Sequence, residues 1–541
     1  MHFCLQVPEL SSNICTFLRE DKVAGPSVLA RLARTHSKFQ DPALDALWYS
    51  QKSLFHLLNC LPSDAFKVDV SSPVHPHTLY LTRDLYPDDY ERVHYYSRRI
   101  RVLGLNWKSP SVQPIVISVL WSQQETCGLL LPNLRELDID FDDFAGQAMY
   151  PRLVCVPTLR SVVVHYEMAD TGPRQNVSDD DMEAVLCPVA QCLEAFAFKS
   201  CDSQWNMIHH SESSPAITKL HSAFRNIQHI DARDFELDHT ALASLSRLSS
   251  VKTLNIAIRE AELRHFNATV ANEDDFPALS ELGIETGELS LCSDLLKRPG
   301  FSRLRSLTIT QCRKEGNWDL GPLFQTIQQY QSHSELKDLS ILRCGTFWNS
   351  PDEESKITLG TLTPLFSFSF LAVLKITVDM AIELDNDALK KIAAAWPHLR
   401  VFRLFESTTR TIPSVKLADL FSFSASCREL EDVTLRVDAL HPPSFAEHGT
   451  IVPSPNVRCF NACTSPIDVF YNEVATIINL AFPSLERLKY GWVYPGFDGP
   501  EEIEMTRVER GYHTSWEGCS DALYPLISSR QKGAARCIDY T

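Results

Sequence analysis

The chain has 541 residues, 44% of them hydrophobic and 22% charged, which excludes a single small domain and a disordered polymer and leaves several domains or one array of repeats. Its formal net charge of −17 argues against wrapping nucleic acid, because neutralising phosphate needs a surplus of Lys and Arg. The sixteen cysteines are scattered, without a CxxC pair or dense cluster, and read as reduced, mostly buried thiols.

Met1 to Leu10 lacks the basic and apolar regions of a secretory signal, and no stretch reaches the ~18 apolar residues of a membrane helix. A cytoplasmic or nuclear protein with no membrane partner is expected, which makes the sequons at Asn176 and Asn267 chance matches. In the first fifty residues, Leu10, Ile14, Phe17 and Leu18 fall at i, i+4, i+7 and i+8, the stripe of an amphipathic helix whose first turn holds Pro8 and Glu9. A second stripe, Val28, Leu29, Leu32 and Ala33, follows a break at Gly25 and Pro26, and a third, Leu44, Leu47 and Trp48, follows Pro42. Units below about 60 residues are marginal alone. The stripes therefore serve an interface, or the helices cap the repeats that follow.

Val7, Pro8, Glu9 and Leu10, then Ile14, Phe17, Leu18, Leu29, Ala30, Leu32 and Ala33, and finally Phe39, Pro42, Ala43, Leu44, Leu47 and Trp48, resemble an F-box, in the form found in fungal F-box proteins with leucine-rich repeats. The resemblance covers roughly residues 5 to 50, and DPALDALW is its most specific part. It implies docking on the Skp-type linker of a Skp, cullin and F-box ubiquitin ligase. Pro8, Leu10, Ile14, Leu18, Leu29 and Leu32 match the family's contact positions.

Residues 51–99, with Leu54, Leu57, Leu58 and Leu61 before a polar, Pro-rich stretch, read as a helical linker and the start of the repeats. Over 100–491 a hexad returns, apolar at its first, fourth and sixth positions. The clearest copies are Leu134, Leu137, Ile139; Leu279, Leu282, Ile284; Leu304, Leu307, Ile309; Leu336, Leu339, Ile341; and Leu371, Leu374, Ile376. Weaker ones start at Ile100, Leu159, Leu193, Ile227, Val251, Leu399, Leu430, Val457 and Leu485. Cys201, Cys312 and Cys344 stand where a leucine-rich repeat carries Asn or Cys, although the spacing of 24 to 35 residues is irregular.

Each hexad alternates like a short strand, and segments such as Asp181 to Leu193, Asn386 to Trp396 and Ile467 to Phe482 carry helical spacing. The expected fold is α/β: an irregular leucine-rich-repeat solenoid, an arc or horseshoe with a parallel sheet on its concave face, preceded by a small three-helix F-box-like domain. A doubly wound domain is the alternative, but its strands read as continuous apolar runs. Residues 492–541 read as a polar cap or a partly disordered tail.

Candidate chemistry is thin. Asp138, Asp140 and Asp142 have calcium-loop spacing, but Asp143 and Met149 stand where Gly and Glu are needed. Cys187, Cys192, His209 and His210 have poor zinc spacing, and no thiol is marked as a nucleophile. Clusters at Asp179 to Asp181, Glu273 to Asp275 and Glu501, Glu502 and Glu504 read as solvated loops. No cofactor, metal or enzymatic activity is expected.

The outward hexad positions run from Glu136, Asp138 and Asp140 to Arg403, Phe405, Arg436, Arg487 and Lys489. The later set is the candidate contact for a substrate protein, an acidic or phosphorylated segment. With the F-box resemblance, the chain reads as a two-ended substrate adapter. The alternative is a repeat scaffold or receptor outside the ubiquitin system.

Overall fold

Each of the fourteen hexads coincides with a strand. The structure, a computed structural model, describes residues 7–21, 23–69, 78–105, 112–140, 153–166, 186–200, 220, 222–258, 260–268, 275–311, 319–343, 356–378, 380–406, 412–442, 451–491 and 507–538. It divides into two compact units, which meet in sequence between Lys252 and Thr253. Cys201, Cys312 and Cys344 lie outside the described residues, as do Asp142, Asp143, Met149, His209 and His210.

The first unit opens with three helices, α1 (Pro8–Glu20), α2 (Gly25–Leu32) and α3 (Ser37–Trp48). Their core is Cys15, Leu29, Ala43 and Ala46, with Leu18, Leu32, Ala33 and Leu47 packed around it. Pro8 sits in the first turn of α1, where its missing N–H is no loss. The Asp21 carboxylate accepts from the backbone N–H groups of Val23 and Ala24, both at 3.0 Å, and these bonds hold its pKa below the ordinary carboxylate value. Pro42, expected to precede the third helix, lies inside it. One lost backbone bond is offset there by the burial of Phe39, Ala43 and Ala46, and the His36 ring caps the helix start by accepting from the Lys38 N–H at 3.1 Å.

At Gly25, α2 lies close against the backbone of α1. A Cβ at that position would lie 1.9 Å from the Leu18 carbonyl oxygen, a backbone atom. Gly25→Ala is therefore expected to force the two helices apart and cost about 1–3 kcal/mol. Faster proteolysis around residues 21–24 with an unchanged repeat region would report it.

α3 runs through Tyr49 directly into the strand Ser50–Gln51, which pairs in parallel with Val102–Leu105. The expected boundary at residue 50 thus falls inside a strand, and residues 51–99 hold an antiparallel pair, Phe66–Asp69 with Thr78–Leu81, besides short helices. Trp48 stacks on Tyr96 at 4.6 Å, and the buried Arg99 guanidinium bridges Asp41 and Asp45.

From there the unit adds Glu136–Asp140, Ser161–Tyr166, Ala195–Ser200 and His229–Glu236, each paired in parallel with the one before. Among the described residues of the second unit, the long sheet has nine parallel strands in chain order, from Thr253–Ile258 to Arg487–Lys489, and Lys356–Thr358 pairs separately with Ala381–Glu383. Its register is uniform: Leu254, Leu282, Leu307, Leu339, Leu374, Phe402, Val433, Phe460 and Leu488 form one row across the sheet. A second row runs Ile256, Ile284, Ile309, Ile341, Ile376 and Leu404. All fourteen first-position residues are buried, and each Leu or Ile so buried stabilises by roughly 1.5–3 kcal/mol.

The second hexad position fixes the register through the backbone. The Arg101 carbonyl accepts from the N–H groups of both Arg135 and Glu136, the Arg135 carbonyl from Arg160 and Ser161, and the pattern repeats in the second unit at Arg305, Lys337, Ala372, Arg400, Glu431 and Arg458. Helices return between strands, among them Leu320–Tyr330, Asn386–Ala395 and Tyr471–Ala481. The architecture is mixed α/β, with leucine-rich strand-and-helix repeats building a parallel sheet. Within the stretch expected as a polar cap or tail lies a helix, Arg507–Ile538, which packs on Tyr471–Ala481 and buries Trp516, Cys519 and Leu523. Among the described residues, no helix is long and apolar enough to cross a membrane.

Candidate functional site

Two surfaces carry the residues singled out in the sequence. On the first, α1 has two faces. Ser11 and Cys15 are buried and Leu18 packs beside them, whereas Val7, Leu10, Ile14 and Phe17, spaced three, four and three apart, stay open at 38%, 43%, 40% and 74% exposure. Pro8 is exposed next to them, and Val28 on α2 is 37% exposed. Of the expected linker contacts, Pro8, Leu10 and Ile14 therefore face outward, Leu18 and Leu32 are half-buried in the core, and Leu29 is sealed inside it. Phe17, the most exposed apolar side chain on the stripe, was part of the helical pattern but not of the expected contact set.

On the second surface, two rows of outward residues cross the second unit. One runs Asp338, Val373, Val401, Asp432, Cys459 and Arg487; the other runs Ser340, Lys375, Arg403, Thr434, Asn461 and Lys489. The Arg403 guanidinium grips Asp432 with two parallel bonds of 2.9 and 2.6 Å, which raise the Arg403 pKa. Its charge is already committed to the next strand.

Beyond that pair the face is closed. Asp432, Thr434, Cys459 and Asn461 are buried, and so are Phe405 and Arg436, both expected on the open face. The Arg436 Nε donates to the Thr464 carbonyl at 3.3 Å, so this arginine braces a turn. Burial, and then the Asp432 carboxylate, push the Cys459 thiol up, the opposite of nucleophile activation. Arg487 and Lys489 remain exposed on the last strand. Apart from that last strand, the rows are accessible along the half-buried stretch from Asp338 and Ser340 to Lys375 and Arg403. Asp338, Lys375 and Asp432 were not singled out, although the same alternation identifies them.

Burial also pushes the Asp338 carboxyl above its ordinary value; Lys375 pulls it back and Glu281 adds to the rise. A folded-state pKa above the unfolded one costs stability as pH rises through that window. Asp338→Asn is accordingly expected to raise the thermal midpoint at neutral pH and to change nothing near about pH 3, where the carboxyl is protonated in both states. A midpoint that falls at neutral pH would contradict this.

In the first unit, Asp138 is engaged by the His165 Nε2 at 2.9 Å. Among the described residues, no group of three or more His, Cys, Asp and Glu side chains is placed to hold a metal ion.

No family model and no curated protein matches the chain. Among solved structures it is similar to the leucine-rich repeat-containing protein LegL7 from Legionella pneumophila, with 13% identity over 56% of this chain and 92% of that one and a TM-score of 0.31. At that score the likeness carries no argument. The repeat architecture rests on the strands and their register.

Proposed function

We propose that the chain is the substrate-recognition adapter of a Skp, cullin and F-box ubiquitin ligase, with α1 to α3 docking on the Skp-type linker and the repeats holding a substrate protein. One observation carries the reading. The three-helix unit completes its own core, yet leaves Val7, Leu10, Ile14 and Phe17 open along one face of α1. Apolar stripes on otherwise polar helices mark docking sites, because covering them removes apolar surface from water. The protein acts by binding and carries no catalytic chemistry, metal or cofactor, and it binds neither nucleic acid nor membrane. A parallel strand face is a natural platform for a protein partner, since outward side chains two residues apart project from a rigid frame.

Co-purification of the full chain with a Skp-type linker tests the first half. Stable capture is the expected result. With no capture, the adapter reading is lost, and the repeats are left as a protein-binding scaffold outside the ubiquitin system.

A further inference from the structure

Arginines recur at the second hexad position, and the two units treat them differently. In the second unit Arg400 pairs with Glu431 at 2.9 Å, Arg305 with Glu335 at 3.4 Å and Arg458 with Glu486 at 3.6 Å, so each of these meets a carboxylate on the following repeat. In the first unit the following repeat offers another arginine. The register that pairs Val102 with Glu136 and Glu136 with Ser161 sets Arg101, Arg135 and Arg160 side by side at the starts of three adjacent strands, about 4.8 Å apart. Among the described residues, a carboxylate is reached only at the end of the row, where Arg160 lies 3.4 Å from Glu194.

The row is held in place. The Arg101 Nη1 donates to the carbonyls of Arg98 and Ile100 at 2.7 and 3.2 Å, and the Arg160 Nη1 makes the same pair of bonds to Pro157 and Leu159 at 3.0 and 2.9 Å. Arg98 stands exposed in the preceding turn, its guanidinium 5.0 Å from the Tyr95 ring centroid. Arg135, between the two anchored arginines, is exposed. Glu136, its neighbour in sequence, alternates to the other face of the strand. Asp41 and Asp45 are taken by the buried Arg99.

We propose that Arg98, Arg101, Arg135 and Arg160 form a binding strip for an extended acidic segment of a partner protein, lying across the strand starts. Like charges this close repel one another, and a row of carboxylates relieves that repulsion while accepting charge-assisted hydrogen bonds. Anchoring of the Arg101 and Arg160 guanidiniums lowers the ordering cost of binding. A chain with a net charge of −17 repels long polyanions such as nucleic acid overall, whereas a short acidic peptide meets only the strip. The inference concerns side chains of the repeats and does not rest on the ubiquitin reading.

The test is fluorescence anisotropy with the full chain and a labelled poly-glutamate peptide of about ten residues, which spans ~33 Å when extended. The expected result is binding that weakens with added salt and that falls about tenfold in Arg98→Glu with Arg135→Glu, while Lys337→Glu in the second unit leaves it unchanged. If the double variant misfolds, Arg135→Gln alone serves, with an expected loss of about threefold. Absence of peptide binding, equal binding by wild type and variants, or tighter binding of a short DNA duplex than of the peptide would each overturn the proposal.

Discussion

Replacing Trp396 by alanine is expected to remove roughly 3–5 kcal/mol from the second unit, the largest loss from any single side chain considered. Trp396 is fully buried at the end of the helix Asn386–Ala395, meets Phe366 edge-on at 5.3 Å, and donates its indole N–H to the Leu365 carbonyl at 3.2 Å. Truncation leaves a cavity between two repeats that neither can close, since each strand is held in register by both neighbours. Stability in such arrays is a sum of repeat and interface contributions, so hydrogen exchange should quicken at Val373–Val378 and Val401–Glu406 first. Trp396→Phe fills most of the space, and the Leu365 carbonyl still accepts from the Phe368 N–H; its cost should stay near about 1 kcal/mol. Equal midpoints for the two variants would show that packing at Trp396 is not what holds these repeats together.

The second large effect concerns binding. Leu10→Asp combined with Ile14→Asp should weaken capture of a Skp-type linker by about 100-fold or more, with the helical content of the chain unchanged. The two side chains are 43% and 40% exposed, so carboxylates there meet water in the free protein and are desolvated only when a partner covers them. Phe17→Asp alone should give a smaller loss in the same direction. Cys15→Asp is the contrasting variant: Cys15 is buried among Leu29, Ala43 and Ala46, so the three helices themselves should melt. Capture by the Leu10, Ile14 variant at the level of the wild type would remove the open stripe as the docking face.

Much of this architecture is legible in the sequence because the hexad is a local signal. Apolar residues at positions one, four and six specify an inward face without reference to any other repeat, and all fourteen starts lead into strands. The helices of the first fifty residues are legible for the same reason, although the chain splits their apolar residues between a core and an open face. Leu29 turns inward and Phe17 outward, a division that depends on how three helices cross and not on the period of one.

The outward residues are less legible, because what they do is decided by partners on other strands. Arg403 reads as a free cation until Asp432, diagonally across on the next strand, is placed within its reach. Arg436 and Phe405 alternate outward by pattern but are buried. The helix Arg507–Ile538 was hidden by polar composition, although Trp516, Cys519 and Leu523, three and four residues apart, carried its buried face.

The junction at Tyr49 has one more consequence. Helix α3 ends there, the strand Ser50–Gln51 begins at the next residue, and the Tyr49 carbonyl accepts from the N–H groups of both Arg101 and Val102 at 2.9 and 3.0 Å. Arg19 rests over the Tyr49 ring at 4.0 Å, which ties α1 to the same point. Among the described residues, the N-terminal helices thus join the first strands with no loop between them, so a turn of one carries the other with it. Under the proposed function, a linker docked on α1 is held at a set bearing to the first repeats, so its distance from a substrate on those repeats is set by geometry and not by the slack of a tether.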